Sequence, residues 1–234
     1  PFIMDRAVHV DIQLPNDAMD LADADMASLL SGANTAMIGQ ELIQFGTATP
    51  LGGRTFRLTG LLRARRGTEW AITTHVAGEA FTLIEAETLA MVELRPGTTA
   101  AGIIATGVGD AGPVRRDLEF SGLALLPLSP VHLRAERQAN GDTVISWIRR
   151  SRAGWGWGDG MDAPLAEEFE RYSIMFEPDA GTVRVIECNA PTLSYEQSTR
   201  LLDLAAGATA MDVAIRQHGT HGQSRAARMT FSIL

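Results

Sequence analysis

Val8, Val10, Ile12 and Leu14 alternate with His9, Asp11 and Gln13. Successive side chains of an extended chain point to opposite faces, so this pattern predicts a half-buried strand. Pro15-Asn16-Asp17 ends it. Residues 18–36 carry no clean period, apart from a short helix or turn near Asp25–Leu30. Met37-Ile38 and Glu41–Thr47 read as strands. Pro50-Leu51-Gly52-Gly53 reads as a turn, after which Phe56 and Leu58 alternate again, and together these predict a hairpin. Thr68 stands where it can cap a short helical turn running to about Thr74. Further strands are expected over Glu79–Ile84 and Leu89–Leu94. Another pair, Gly102–Gly109 and Arg115–Gly122, flanks Asp110-Ala111-Gly112-Pro113. Short strands broken this often by turns argue for a β-barrel or sandwich.

Leu126-Pro127-Leu128-Ser129-Pro130 reads as a short stiff linker, which divides the chain into a β-rich domain over 1–127 and a second domain over 128–234. In the second domain Val131, Leu133 and Ala135 alternate, and Asn140-Gly141-Asp142 makes a tight turn. Thr143, Ile145 and Trp147 follow. A long loop, Ser151–Asp162, precedes Tyr172, Ile174 and Phe176. Val183 and Val185 alternate after a turn at Pro178-Asp179-Ala180-Gly181. Met211, Val213 and Ile215 then form a strand, and Gly219–Gly222 turns into a last one ending near Ile233. About seven strands in about 105 residues is the number an immunoglobulin-like sandwich needs.

Composition narrows the function classes. The chain has 234 residues, 45% hydrophobic and 21% charged, so it can bury a real core. Net charge is −8, which argues against general or sequence-specific nucleic-acid binding. All 20 basic residues are Arg, which reads as genome composition. Cys188 is the single cysteine, so neither an intrachain disulfide nor a thiolate metal cage is available. No apolar run reaches the roughly 18 residues of a membrane span. Pro1-Phe2-Ile3-Met4-Asp5-Arg6 lacks the basic and apolar regions of a signal peptide. A start at Pro1 fits either removal of an initiator Met or an excerpt of a longer chain.

Two resemblances emerge. Ile145-Ser146-Trp147, Tyr172–Phe176 and the closing stretch from Val213 to Ala226 resemble strands B, C, F and G of a fibronectin type III domain. Met211 stands where that family usually has a tyrosine at the start of strand F, so the tyrosine-corner hydrogen bond should be missing or supplied elsewhere. The second resemblance spans nearly the whole chain. Gln44-Phe45, Phe56-Arg57-Leu58 and Gly60-Leu61-Leu62-Arg63-Ala64-Arg65-Arg66-Gly67-Thr68-Glu69-Trp70 are similar to a stretch of phage tail-tip, or host-specificity hub, proteins of siphophage-like tails and gene transfer agents. So are Ile145–Arg152, Asp162-Ala163-Pro164-Leu165 and Glu168 to Tyr172. This resemblance implies a C-terminal piece of a longer virion or baseplate protein, made in the bacterial cytoplasm. It implies partnership with other tail proteins, a homotrimer in the full-length protein, and a role in host attachment and DNA delivery.

Candidate chemistry is sparse. In Gly154-Trp155-Gly156-Trp157-Gly158-Asp159-Gly160-Met161-Asp162, Trp155 and Trp157 offer apolar faces for a host sugar or a partner's pocket. They serve equally well as caps on the sandwich edge. Asp159 and Asp162 are too few carboxylates for a calcium loop and read as solvated. His218 and His221 lack further metal ligands, and His9, His75 and His132 are scattered. Arg63, Arg65 and Arg66 form a local basic patch, either for an anionic partner or as a solvated, salt-bridged strand end. No cofactor is implied. No nucleophile or metalloprotease motif is present, so the expectation is a non-enzymatic all-β protein. A carbohydrate-binding module and, further off, a cell-wall hydrolase are the alternatives.

Overall fold

The computed structural model describes residues 4–90, 92–95, 97–154 and 163–234. The chain forms two compact units, Pro1–Glu93 and Leu94–Leu234. Both are built mainly of antiparallel strands, so the all-β expectation holds.

The first unit is one sheet. Its strands are β1 (Met4–Asp5), β2 (Val10–Gln13), β3 (Thr35–Ile38), β4 (Glu41–Gly52), β5 (Thr55–Leu62) and β6 (Phe81–Leu83). Their order is β1-β5-β4-β3-β6, with β2 also pairing with β5. The sheet is open: β6 forms one edge, β1 and β2 the other, and no described pairing joins them into a barrel. The alternation around Ile12 has its expected consequence, since Ile12 and Leu14 join Ile43, Phe45, Phe56 and Leu58 in the core. A short helix, α1 (Met26–Leu30), starts where Asp25 accepts a hydrogen bond from the Ser28 N–H at 2.8 Å. Gln44, on the opposite face of β4 from Phe45, donates to the Leu29 and Ala33 carbonyls and so ties α1 to the sheet.

Three local expectations change. Pro50 belongs to β4 rather than to the turn. It sits at a register shift where β4 pairs with β5 alone, so its missing N–H breaks no ladder. Thr68 does stand at the start of a short helical turn, but its side chain makes no capping bond to it. Its hydroxyl donates to the Arg65 carbonyl and accepts from the Leu42 N–H, holding two 3-10 turns (Arg65–Gly67 and Glu69–Ala71) against β4. The described residues of Leu89–Leu94 form no strand, and Leu89, Val92 and Leu94 are exposed.

The second unit opens with a hairpin, β7 (Ala100–Ala105) and β8 (Val114–Glu119). Pro127 and Pro130 lie between it and β9 (Val131–Arg137). A sandwich follows, from β9, β10 (Thr143–Ile148), β11 (Tyr172–Pro178), β12 (Arg184–Cys188), β13 (Thr192–Tyr195), β14 (Ala210–Gly219), β15 (Gly222–Gln223) and β16 (Ala227–Ser232). One sheet runs β13-β10-β9. The other runs β12-β11-β14, with β15 and β16 on β14. This is the three-on-four strand order of a fibronectin type III sandwich. The buried side chains alternate as expected: Ile145 and Trp147, then Tyr172, Ile174 and Phe176, then Met211, Val213 and Ile215. A helix, α2 (Gln197–Ala205), joins β13 to β14.

Met211 does occupy the start of β14 and is fully buried. A different tyrosine, on β13, anchors the connection from β13 to β14. The Tyr195 hydroxyl donates to Asp203 Oδ2 of α2 at 2.6 Å, and Arg184 of β12 donates to both oxygens of that carboxylate. Burial alone would raise the Asp203 pKa, but the bonds from Arg184 and Tyr195 outweigh it and hold the carboxyl below its usual range.

Candidate functional site

The loop that the sequence singles out contains Trp155, Trp157, Asp159 and Asp162, and all four lie outside the described residues. What is described is how the chain leaves the sandwich at Ala153-Gly154 and returns at Ala163. The two flanks are stapled together by the arginines that follow β10. Arg149 donates through Nη2 to the Ala163 carbonyl at 2.8 Å and through Nη1 to the Pro164 carbonyl at 3.1 Å. Arg150 donates to the Ser129 carbonyl at 2.7 Å, binding the first flank to the entry of β9. Arg152 reaches Glu167 Oε1 at 2.7 Å and the Ala166 carbonyl at 3.1 Å.

Glu167 is the centre of this frame. Its side chain is 1% exposed, and its other oxygen accepts from the Thr220 N–H in the β14–β15 turn at 2.9 Å. Burial would raise its pKa, but Arg152 and the Thr220 amide more than compensate, so the carboxylate stays charged below its ordinary range. Ala166 adopts a left-handed backbone, φ +60, a conformation that persists where neighbours over-determine it. Arg152, bonded to the Ala166 carbonyl, supplies part of that restraint. The run Arg149-Arg150-Ser151-Arg152 is therefore a set of staples at a loop base rather than a solvated cluster, and Ser151 itself is buried.

Of the paired histidines His218 and His221, and of His9, His75 and His132, expected to be scattered, two have described side-chain partners. His218 contacts Gln223 at 3.2 Å and lies 3.9 Å from Glu187. His75 belongs to a cluster in the first unit. Its Nε2 is 2.7 Å from Glu41 Oε2 and its Nδ1 is 2.5 Å from Glu79 Oε1. Arg63 makes a two-pronged bond to the same Glu41, at 2.6 and 2.8 Å. The basic patch is thus split, with Arg63 folded inward on a fully buried carboxylate and Arg66 exposed. No sequence motif joins residues 41, 63, 75 and 79; the one available signal was a lone Glu opening a strand that carries no other charge. Among the described residues no group of three or more His, Cys, Asp or Glu is arranged to hold a metal ion.

No helix among the described residues is long and apolar enough to cross a membrane. No curated protein matches the chain. Among solved structures, the rat CD45 extracellular region, domains d3-d4, is 6% identical with a TM-score of 0.33, covering 64% of this chain and 74% of that one. Domains A168-A170 of titin are 10% identical with a TM-score of 0.32, covering 85% of this chain and 53% of that one. Likeness at this level adds nothing to the strand order, which carries the fold by itself. Residues 1–82 match a protein-family model described as Rcc01698-like, C-terminal.

Proposed function

We propose that this chain is a structural and adhesive part of a phage-like tail tip or baseplate. In this reading it serves host attachment and DNA delivery, assembles with other tail proteins, and catalyses no reaction. The supporting observation is the match of residues 1–82 to a family named for a gene transfer agent-associated protein. The stapled flanks at Arg149, Arg152 and Glu167 fit a frame that presents the Trp155–Asp162 segment to a receptor or a neighbouring subunit. Rigid frames that carry variable loops are a common way to place a binding surface on a β-sandwich.

The test is binding of the purified chain to host cells and to the other tail proteins of its particle. Binding to either supports the reading, and binding to neither overturns it. A carbohydrate-binding role for Trp155 and Trp157 predicts glycan-array signals that vanish in the Trp155→Ala, Trp157→Ala double variant. Tail-protein contacts that survive in that variant assign the assembly role to another surface. Clearing on a host peptidoglycan zymogram would replace adhesion with hydrolysis.

A further inference from the structure

A neutral imidazole carries one N–H, so it donates one hydrogen bond and accepts another. His75 has a carboxylate on each ring nitrogen, Glu79 Oε1 on Nδ1 and Glu41 Oε2 on Nε2. Neither ionised carboxylate can donate, so both contacts are satisfied only when the ring holds two protons or one carboxylate holds one. Glu41 is the poorer proton acceptor. It already receives Arg63 Nε and Nη2 and the Ala64 N–H, and these bonds favour its charged form. An imidazole is intrinsically a stronger base than either carboxylate, so the extra proton belongs to His75.

The position of this imidazolium matters. Glu41 opens β4, Arg63 follows β5, and His75 and Glu79 lie on the segment entering β6. β6 is three residues long and pairs with β3 alone. Two further bonds seat it, from the Gly39 N–H to the Ala80 carbonyl at 3.0 Å and from the Ile84 N–H to the Thr35 carbonyl at 2.8 Å. The Glu79 carboxylate lies over Gly39, where a Cβ would come within 2.1 Å of its Oε2. The ring thus bridges the β3–β4 turn region to a short edge strand that is otherwise held by its pairing with β3 and by Phe81 and Leu83, half-buried against the core.

We propose that His75 is a proton-operated latch on β6, which clamps this edge strand while the ring is doubly protonated and releases it, uncovering the edge of β3, when a proton is lost. The charges around the ring are Glu41 from β4 and Glu79 from its own segment, with Arg63, just after β5, bonded to Glu41 and Asp5 of β1 acting on Arg63. With the imidazolium in place, Glu41 and Glu79 are matched by Arg63 and His75. Deprotonation leaves one carboxylate without a cation and a lone pair facing it. Burial would lower the His75 pKa, but the bonds to Glu41 and Glu79 outweigh it and raise the pKa above the ordinary 6.5. A raised folded pKa gives stability that is fully present below the unfolded value and is lost as pH rises through the folded one. The latch is closed in mild acid and opens toward alkaline pH.

The experiment is NMR of the full chain from about pH 5 to about pH 10, with His75 titrated by its ring carbons. Amide exchange is read at Phe81–Leu83 and Ile84, with Phe45 and Leu58 as core references. The expected result is a His75 midpoint above 6.5, with protection of the β6 amides falling by up to about tenfold per pH unit between 6.5 and that midpoint and levelling off above it, while the core amides hold. His75→Gln should lose the step and show weak β6 protection throughout. If that variant does not fold, Glu79→Gln supplies the same test, because it must move the midpoint and the step together toward lower pH. A midpoint at or below 6.5, β6 protection that stays level between pH 6.5 and the midpoint, or a step that ignores Glu79→Gln overturns the latch.

Discussion

Asp203→Ala is the most informative perturbation of the sandwich. It removes the acceptor for three bonds, two from Arg184 and one from the Tyr195 hydroxyl. Asp203 and Tyr195 are 3% and 4% exposed. A buried hydroxyl left without a partner costs about 1–3 kcal/mol. Breaking a fully buried ion pair costs about 3–5 kcal/mol, but the Arg184 side chain is 27% exposed and can turn to water, so its share is smaller. The expected loss is about 3 kcal/mol. Urea unfolding read at the Ile145 and Ile174 methyl groups reports on the sandwich core directly. Tyr195→Phe keeps the ring that stacks on Phe176 at 5.6 Å and removes only the hydroxyl. In that background Asp203→Ala should cost about 1 kcal/mol less, the coupling expected of groups in one hydrogen-bond network. The Asp203 pKa is depressed, so the stabilisation is present above the unfolded value of 3.8 and lost as pH falls through the folded value. The gap between wild type and Asp203→Ala should therefore be flat from about pH 5 to 8 and close in stronger acid. A cost below about 1 kcal/mol, or strict additivity with Tyr195→Phe, refutes the network.

Gln217 is fully buried on β14, and its side-chain amide atoms find no partner among the described residues. Gln217→Met should leave the melting temperature unchanged or raise it, by up to about 1 kcal/mol of stability in calorimetry, and a large loss would reveal a bond that the amide makes. Gly60 sits in β5 at φ +62 with the Met4 sulfur 3.4 Å from where a Cβ would be. Gly60→Ala should destabilise the first unit by more than about 1 kcal/mol, measured by urea titration, and a neutral result would contradict the left-handed backbone. Arg152→Ala should speed limited proteolysis at the loop flanks several-fold while leaving the sandwich core intact by hydrogen exchange; equal cleavage rates would show that the staple is dispensable.

The strands that the sequence announces best are those with one buried and one wet face. Val10–Leu14, Thr143–Trp147 and Tyr172–Phe176 alternate because each buries every second side chain, and Met211–Ile215 does so with Ala214 buried too. β13 escapes that logic. It is four residues long, and only Tyr195 is buried, so no period exists to read. α2 is equally quiet: its buried residue is the charged Asp203, and Leu201 and Leu202 face outward. Leu89–Leu94 shows the reverse error, an apolar stretch that pairs with nothing described. The candidate loop was legible because Trp155 and Trp157 among glycines are conspicuous in composition. Its frame was not, because staples such as Arg152 to Glu167 and Thr220 to Glu167 join positions 15 and 53 residues apart. Glu41 and His75, 34 residues apart, were hidden for the same reason.

Glu41, Glu167 and Asp203 share one design, and it bears on what such a protein is for. Each is a nearly dry carboxylate, each takes an arginine, and each also takes an uncharged donor: the Ala64 amide, the Thr220 amide and the Tyr195 hydroxyl. Each joins a connecting segment to a distant part of its own unit, where an apolar side chain would have to be shielded by neighbours that a surface loop lacks. A charged anchor holds a direction as well as a distance, because the guanidinium fork and the amide fix the carboxylate plane. The weakness is acid, since all three stabilise only while ionised. Their pKa values are all held down, so this weakness lies well below neutral pH. His75 carries the opposite dependence. The Glu167 anchor that frames the sandwich loop thus stays closed as pH rises, the direction in which the edge strand of the first unit is set to loosen.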